Sequence, residues 1–228
     1  KGVVTKAHTP GFYTTGDNNW FYADSHGRNV TGAQVINGQH LYFDANGRQV
    51  KGGFVTNTDG SRSFYHWNTG DKLVSTFFTT GHDRWYYADD KGNVVTGAQV
   101  INGQKLFFAT DGKQVKGDFA TNANGSRSYY HGATGNKLVS TFFTTGDNNW
   151  YYADAKGELV VGEQTINGQN LYFDQTGKQV KGATAANPDG SISYYDVHTG
   201  EKAINRWVKI PSGQWVYFNA QGKGYVSN

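Results

Sequence analysis

The feature that most constrains this chain is a spacing of 65 residues that recurs along its length. Trp20, Trp85, Trp150 and Trp215 follow one another at this interval, and so do Gly32, Gly97 and Gly162. The phrase Thr-Gly-Asp-Asn-Asn-Trp-Phe-Tyr-Ala-Asp at 15–24 returns in close copies from Thr80 and from Thr145. A repeat of this length indicates supersecondary units that pack on their neighbours, in place of one globular core.

The long repeat contains three shorter units, each marked by a pair of adjacent aromatic residues. Ten such pairs occur, at 21–22, 42–43, 64–65, 86–87, 107–108, 129–130, 151–152, 172–173, 194–195 and 217–218. Each unit predicts a strand, a turn and a second strand. The turn is expected directly after the aromatic pair, as in Asp44–Gly47, with the second strand at Gln49–Gly52, because Asp and Gly are typical of hairpin turns. A lone hairpin is marginally stable in water, so neighbouring hairpins are expected to share a core.

Glycine is so frequent along the chain that helices are not expected. The longest segment without glycine runs from Glu201 to Ser212, and no apolar stripe with a helical period is present. The predicted fold class is therefore all-β. In the first nine units the residue before the aromatic pair is Trp, Leu or Ser in regular alternation, and we name the units Trp, Leu and Ser hairpins after it. The tenth pair is shifted by one residue and aligns as Val216-Tyr217, with Trp215 before it. The Ser hairpins, with Ser63, Ser128 and Ser193 at this position, are predicted to be spacers.

Composition argues against several functional classes. The net charge is +3 with both signs interspersed, which provides no basic face for nucleic acid and no Lys/Arg run for an anionic membrane. No apolar run is long enough to insert into a membrane, and no cysteine is present. His66 and His131 occupy equivalent positions, but the third copy has Asp196 there, so no metal site is predicted. No pair of Glu residues recurs, so no glycosidase pair is predicted either. No cofactor is predicted. Lys1-Gly2 at the start predicts an excised fragment, and the absence of cysteine favours an extracellular protein.

The repeated phrases resemble the glucan-binding repeats of bacterial glucansucrases, a branch of the cell-wall-binding repeats. The matching segments are Trp150–Asp154, Thr96–Gln99, Ile101–Gln104 and Gln179–Gly182. The resemblance implies a β-solenoid of about ten stacked hairpins, with roughly three per turn. It implies a non-catalytic C-terminal domain that binds α-glucan such as dextran, with the sucrose-splitting barrel of the parent glucosyltransferase elsewhere. We expect one domain over 1–228, with long repeats at about 14–78, 79–143 and 144–208 and a partial one at 209–228. We further expect a monomer, secreted or attached to the wall of a Gram-positive bacterium.

A sugar ring has an apolar face and a rim of hydroxyl groups, so its site requires a flat aromatic ring and a few polar groups. Strand alternation places each Trp on the same face as the second Tyr after it. Gln supplies both a donor and an acceptor, and Lys supplies several donors. The predicted carbohydrate-binding residues are Trp20, Tyr22, Gln34, Lys51, Trp85, Tyr87, Gln99, Lys116, Trp150, Tyr152, Gln164 and Lys181. Tyr42 and Tyr172 are second-choice platforms.

Several alternatives remain open from the sequence. The aromatic residue that ends each pair is present in all ten units, which also fits a core role, and the repeated Gln and Lys residues could simply satisfy backbone groups. A choline-binding wall anchor is the main alternative function, although a choline cage needs about three aromatic walls. The place for one of those walls holds a residue that is not aromatic, namely Ala33, Gly53, Thr76, Ala98, Asp118 or Thr141. Aromatic residues do follow nearby, at Phe54, Phe77, Phe119 and Phe142. An adhesin that binds host glycans and a spacer without a ligand are the other hypotheses.

Overall fold

The computed structural model describes residues 7–146 and 148–226 and contains ten two-stranded antiparallel sheets in this part of the chain. Each sheet is one hairpin made from two strands that are consecutive in the sequence. No helix occurs among the described residues. The prediction of an all-β chain built from about ten hairpins is confirmed, whereas their superhelical arrangement stays a prediction.

The three kinds of hairpin alternate regularly along the chain. The Trp hairpins are β1 Gly11–Thr14 with β2 Trp20–Ala23, β7 Thr76–Thr79 with β8 Trp85–Ala88, β13 Thr141–Thr144 with β14 Trp150–Ala153, and β19 Arg206–Lys209 with β20 Trp215–Phe218. The Leu hairpins are β3 Gly32–Ile36 with β4 Gln39–Phe43, β9 Gly97–Ile101 with β10 Gln104–Phe108, and β15 Gly162–Ile166 with β16 Gln169–Phe173. The Ser hairpins are β5 Gly53–Thr56 with β6 Arg62–Tyr65, β11 Asp118–Thr121 with β12 Arg127–Tyr130, and β17 Ala183–Ala186 with β18 Ile192–Tyr195.

The turn that closes each hairpin lies before the aromatic pair, which corrects the predicted strand pairing. In the first Leu hairpin, β3 and β4 pair across Asn37-Gly38, and both residues have positive φ, 53° and 79°. This is the conformation that a two-residue hairpin turn requires. The predicted turn at Asp44–Gly47 exists, and its Asp44 carboxylate accepts hydrogen bonds from the backbone amides of Asn46 and Arg48. Beyond that turn only the single bridge between Phe43 and Gln49 forms, so Gln49–Gly52 is not a strand of the hairpin.

The segment after that turn instead connects one hairpin to the hairpin before it. The Gln49 amide donates to the carbonyl of Trp20 at 2.7 Å, and Gln179 donates to Trp150 at the same distance. The Lys72 amide likewise donates to the carbonyl of His40 at 2.9 Å. A backbone hydrogen bond thus joins the first or second residue of β2, β4 and β14 to the segment that follows the next hairpin along the chain.

Small aromatic and aliphatic clusters between successive hairpins form the core. Leu41, Phe43 and Ile36 form one cluster, against which Tyr22 of the preceding hairpin packs. Leu171, Phe173 and Ile166 form the corresponding cluster in the third copy, with Tyr152 against it. Each of these clusters combines buried residues of one Leu hairpin with residues of the hairpin before it, so neighbouring hairpins stabilise each other.

Contacts divide the chain into two compact units. The first contains the residues up to Gln99 together with Phe108–Gln114, and the second contains Val100–Phe107 together with the residues from Val115 onward. The first and the third Trp hairpins each lie wholly within one unit, with all the residues around their tryptophans. The sequence-based assignment of 1–228 to a single domain stays a prediction.

Candidate functional site

The first candidate site is an open depression of about 370 Å³ beside Trp20, in the first unit. Three successive hairpins and their turns contribute to it. Its lining residues are Phe12, Trp20, Gln39, Gln49, Lys51, Asn68 and Thr69. Trp20 is half-buried, so part of the indole surface remains open to a ligand.

The second unit contains a depression of about 270 Å³ with nearly the same composition, beside Trp150. We call the two depressions the first site and the third site, after the copy of the long repeat in which each tryptophan lies. Its lining residues are Phe142, Trp150, Gln169, Leu171, Gln179, Lys181 and Thr199. Six of the seven side chains match those of the first site at an interval of two long repeats: the Phe, the Trp, both Gln, the Lys and the Thr. The recurrence of these six residues in separate units indicates that the repeat encodes the site.

A lysine ammonium lies over each of these two tryptophan rings. The Nζ atom of Lys51 is 5.2 Å from the centroid of the Trp20 ring, and that of Lys181 is 5.4 Å from the Trp150 ring. Such contacts are favourable because the ring face carries partial negative charge. The structure thus brings together the Trp and the Lys that the sequence analysis predicted for the first and third copies.

The glutamine two residues before each lysine is a buried polar side chain that lines the site. Gln49 and Gln179 are 8% and 7% exposed. The Gln49 side-chain amide donates to the carbonyl of Thr69 at 3.2 Å. Gly70, with a φ of +72°, permits this approach, since a Cβ there would stand 2.3 Å from Nε2 of Gln49. These glutamines were not among the predicted site residues, but strand alternation across Gln49-Val50-Lys51 would have placed them on the lysine's face.

The predicted glutamines lie outside both depressions. In all three copies the side-chain amide donates to the backbone carbonyl three residues earlier: Gln34 to Thr31, Gln99 to Thr96 and Gln164 to Val161, each at 2.8 Å. This uniform local bond holds the amide nitrogen against its own strand. The lining residues Gln39, Gln169, Phe12 and Phe142 were not predicted as site residues either.

The predicted tyrosines contact the core clusters instead of lining the depressions. Tyr22 packs against the Leu41 cluster and stands edge-on to Phe12, with ring centroids 4.9 Å apart. Tyr152 packs in the same way and lies 4.7 Å from Phe142. Each tyrosine therefore supports the Phe that lines the site.

In the middle copy the equivalent residues belong to different units. Trp85 and Tyr87 are in the first unit, where Tyr87 lies 4.7 Å from Phe77, and Lys116 is in the second. The Gln114 amide donates to the Trp85 carbonyl at 2.8 Å, the same bond that the outer copies make. Tyr42 and Tyr172, the second-choice platforms, stack at a tilt on Tyr65 and Tyr195 and line neither depression.

No group of acidic or histidine side chains that could hold a metal ion occurs within residues 7–146 and 148–226. The same part of the chain contains no helix with the length and apolar character needed to cross a membrane. The shifted pKa values belong to turn aspartates, to tyrosines and to Lys223, whose pKa is raised by its hydrogen bond to Asp189. Burial raises the pKa of Tyr65 and Tyr130, both of which are core residues.

Comparison with known proteins identifies the repeats. A family model described as a choline-binding repeat matches residues 30–77, 95–142 and 160–207, which together make up more than half of the chain. The chain belongs to this family. A second model, of a cell wall binding repeat, matches 75–94, 140–159 and 205–223. Choline-binding repeat families are non-catalytic, and this chain is a repeat domain of the binding kind.

The similar curated proteins are streptococcal glucosyltransferases. Glucosyltransferase-S of Streptococcus mutans is 41% identical over 203 residues, which is 89% of this chain and 14% of that protein. Glucosyltransferase-I of Streptococcus downei is 36% identical over 89% of this chain and 16% of its own length. The chain thus spans about one seventh of the length of these relatives. The resemblance to the repeat domain of a glucosyltransferase is confirmed.

Solved structures of choline-binding repeats share the fold. The protein CbpF, in a complex with ipratropium, matches 91% of this chain and 76% of its own with a TM-score of 0.65 and 20% identity. The choline-binding domain of CbpL from Streptococcus pneumoniae matches 87% of this chain and 99% of its own with a TM-score of 0.58 and 19% identity.

Proposed function

We propose that this chain binds α-glucan polysaccharide of the dextran type, without catalysis and at several sites along one monomer. The parent protein would be a sucrose-dependent glucosyltransferase, secreted or wall-associated in a Gram-positive bacterium. The similarity to streptococcal glucosyltransferases supports the ligand class. The two depressions beside Trp20 and Trp150 supply candidate sites.

The observation that carries the proposal is the lysine over each tryptophan. Choline is a quaternary ammonium, and its recognition depends on an aromatic face that is open to a cation. Here the Lys51 ammonium already lies 5.2 Å from the Trp20 centroid. A second cation would meet like charge at this face, whereas a neutral sugar can accept hydrogen bonds from the same ammonium. The lysine therefore favours a neutral, hydroxyl-rich ligand.

The other side chains of the site fit a sugar in the same way. The exposed part of the indole offers a flat surface for the C–H face of a glucose ring. Gln39 and Gln49 in the first site, and Gln169 and Gln179 in the third, offer amide groups that both donate and accept. An open depression of this size holds one or two sugar units and leaves both ends of a polymer free to continue.

Repetition compensates for the weakness of a single open site. A millimolar site contributes only about −4 kcal/mol. When a polymer engages several sites on one chain, the apparent affinity rises by about 10²–10⁴ without any new contact. A dextran polymer should therefore bind far more tightly than isomaltotriose.

Choline binding is the second candidate function, because the matching family model describes choline-binding repeats. In each described depression the aromatic walls are one Trp and one Phe, Trp20 with Phe12 and Trp150 with Phe142. Among the lining residues this is one wall fewer than a cage of about three aromatic rings, and Trp67, a further ring close to the first site, is not one of them.

Affinity electrophoresis in gels with dextran, with an α-1,3-glucan or with choline separates the two functions. The wild-type chain should be retarded by dextran, and Trp20→Ala with Trp150→Ala should remove most of the retardation. Lys51→Ala with Lys181→Ala should weaken it, whereas Lys91→Ala, an exposed lysine that lines neither depression, should not. Retardation by choline alone would overturn the glucan proposal, and retardation only by the α-1,3-glucan would overturn the dextran type.

A further inference from the structure

The turn that follows each Ser hairpin differs between the copies of the repeat. The turn has the same backbone bonds in each copy: the amide of Gly70 donates to the carbonyl of His66 at 2.8 Å, and Gly135 and Gly200 make the equivalent bond. At its second residue the three copies carry Trp67, Gly132 and Val197. One backbone thus accepts side chains of very different size at this position.

That second residue lies at the edge of the candidate site. A Cβ built on Gly52 would stand 3.1 Å from the Cβ of Trp67, and a Cβ on Gly182 would stand 3.1 Å from Cγ2 of Val197. Gly52 directly follows the lining residue Lys51, and Trp67 directly precedes the lining residue Asn68. In both copies the turn therefore places its second residue against the glycine that follows the lysine of the site, next to the depression.

Trp67 is both exposed and held in place. Its side chain is 47% exposed, although it is one of the largest apolar side chains in the chain. The ring stacks on His66 with centroids 4.9 Å apart and planes 23° apart, and it meets the edge of Phe64 at 5.9 Å. A fixed aromatic ring with an open surface is the kind of group on which a sugar stacks at low entropic cost.

We infer that Trp67 gives the first site a second stacking platform, so that this site binds longer α-glucan segments more tightly than the third site, where Val197 takes its place. This inference rests on the proposed glucan-binding function. The Lys51–Trp20 pair would hold one sugar unit, and Trp67 at the rim would contact a neighbouring unit of the same chain. The effect should therefore grow with ligand length.

The chain provides its own matched substitutions. Trp67→Val introduces the residue that the third copy carries, and Val197→Trp introduces the residue of the first. By calorimetric titration, Trp67→Val should weaken isomaltohexaose binding about three- to tenfold and leave isomaltose binding unchanged. Val197→Trp should strengthen isomaltohexaose binding by a similar factor, and the double exchange should restore a value close to wild type. Thermal denaturation of each variant checks that it folds.

The outcomes separate this inference from the function on which it rests. If Trp20→Ala weakens the binding of both ligands but Trp67→Val changes neither, the second platform is overturned and glucan binding stands. An equal loss for isomaltose and isomaltohexaose in Trp67→Val would also overturn it, because it would show a general disturbance of the site. If Trp20→Ala and Trp150→Ala leave all binding intact, the proposed function and this inference both fail.

Discussion

Trp hairpins and Ser hairpins share one backbone plan but differ at the residue before the aromatic pair. In the first Trp hairpin this residue is Trp20, which is half-buried and lines a depression. In the following Ser hairpin it is Ser63, which is fully buried and accepts a hydrogen bond from the Asn57 side chain at 3.0 Å. In the Leu hairpin between them it is Leu41, 1% exposed in a core cluster. One position per hairpin therefore determines whether the hairpin contributes a partly exposed ring to a depression, an apolar core residue or a buried polar contact.

The largest effect is expected when Leu41 and Trp20 are each replaced by alanine and both stability and dextran binding are measured. Leu41→Ala should lower the free energy of unfolding by about 2–5 kcal/mol, because it leaves a cavity in a closed cluster. Trp20→Ala should cost clearly less stability and should weaken dextran retention instead. Denaturant unfolding and affinity electrophoresis on the same samples check both. If Trp20→Ala destabilises the chain as much as Leu41→Ala does, the tryptophan is a core residue and the distinction fails.

The second test concerns the buried polar contact of the Ser hairpins. Asn57→Ala should lower the free energy of unfolding by about 1–3 kcal/mol, because it leaves the buried Ser63 hydroxyl without its donor. The double variant Asn57→Ala with Ser63→Ala should recover part of that loss, since both partners are then removed. Asn46→Ala, at an exposed turn position, serves as the control in denaturant unfolding. A double variant less stable than Asn57→Ala alone would show that the pair does not interact as described.

The smallest effect is expected in the turns after the Leu hairpins, where the outer copies carry Asp44 and Asp174 and the middle copy carries Ala109. Partial burial raises the pKa of Asp174, but hydrogen bonds from the Thr176 hydroxyl and from backbone amides outweigh it, so the net pKa lies below its usual value. The folded chain then binds fewer protons than the unfolded chain. The stabilisation that the ionised Asp174 carboxylate contributes is therefore present above about pH 4 and is lost as the pH falls through its pKa in the folded chain.

Asp174→Ala should therefore reduce the acid sensitivity of unfolding and cost at most about 1 kcal/mol at neutral pH. The melting temperature measured between neutral and strongly acidic pH checks this expectation. An Asp174→Ala variant whose melting curve shifts in parallel with wild type at every pH would contradict it.

Most of the fold could be predicted, and the missing part has a specific cause. The ten units and the all-β class follow from the spacing of aromatic pairs and from the frequency of glycine. The wrong turn was assigned to the hairpins because both turns in each unit carry suitable residues, Asn37-Gly38 before the aromatic pair and Asp44–Gly47 after it. Local turn chemistry alone does not distinguish a closed ladder from a single bridge.

The type of site could be predicted from the sequence, but not all of the residues that line it. The Trp and the Lys were predicted and lie together in the first and third copies. Gln34 and Gln49 recur with the same period and are both amides, so periodicity cannot distinguish the one that bonds to its own strand from the one that lines the depression. Phe12 was missed because it comes from the other strand of the hairpin, opposite Tyr22.

The sequence by itself determined that this chain is a repetitive all-β binding domain with a tryptophan and a lysine in each long repeat. These properties depend on residue type and on spacing, both of which can be read directly from the sequence. Only the tertiary structure decided which turn closes each hairpin, which glutamine lines the site, and that a lysine lies over the tryptophan. The closing turn depends on the pairing of the two strands within a hairpin, and the other two depend on contacts between successive hairpins, such as the bond from Gln49 to Trp20. Residues with the same period in the sequence come to occupy different faces only when the hairpins pack.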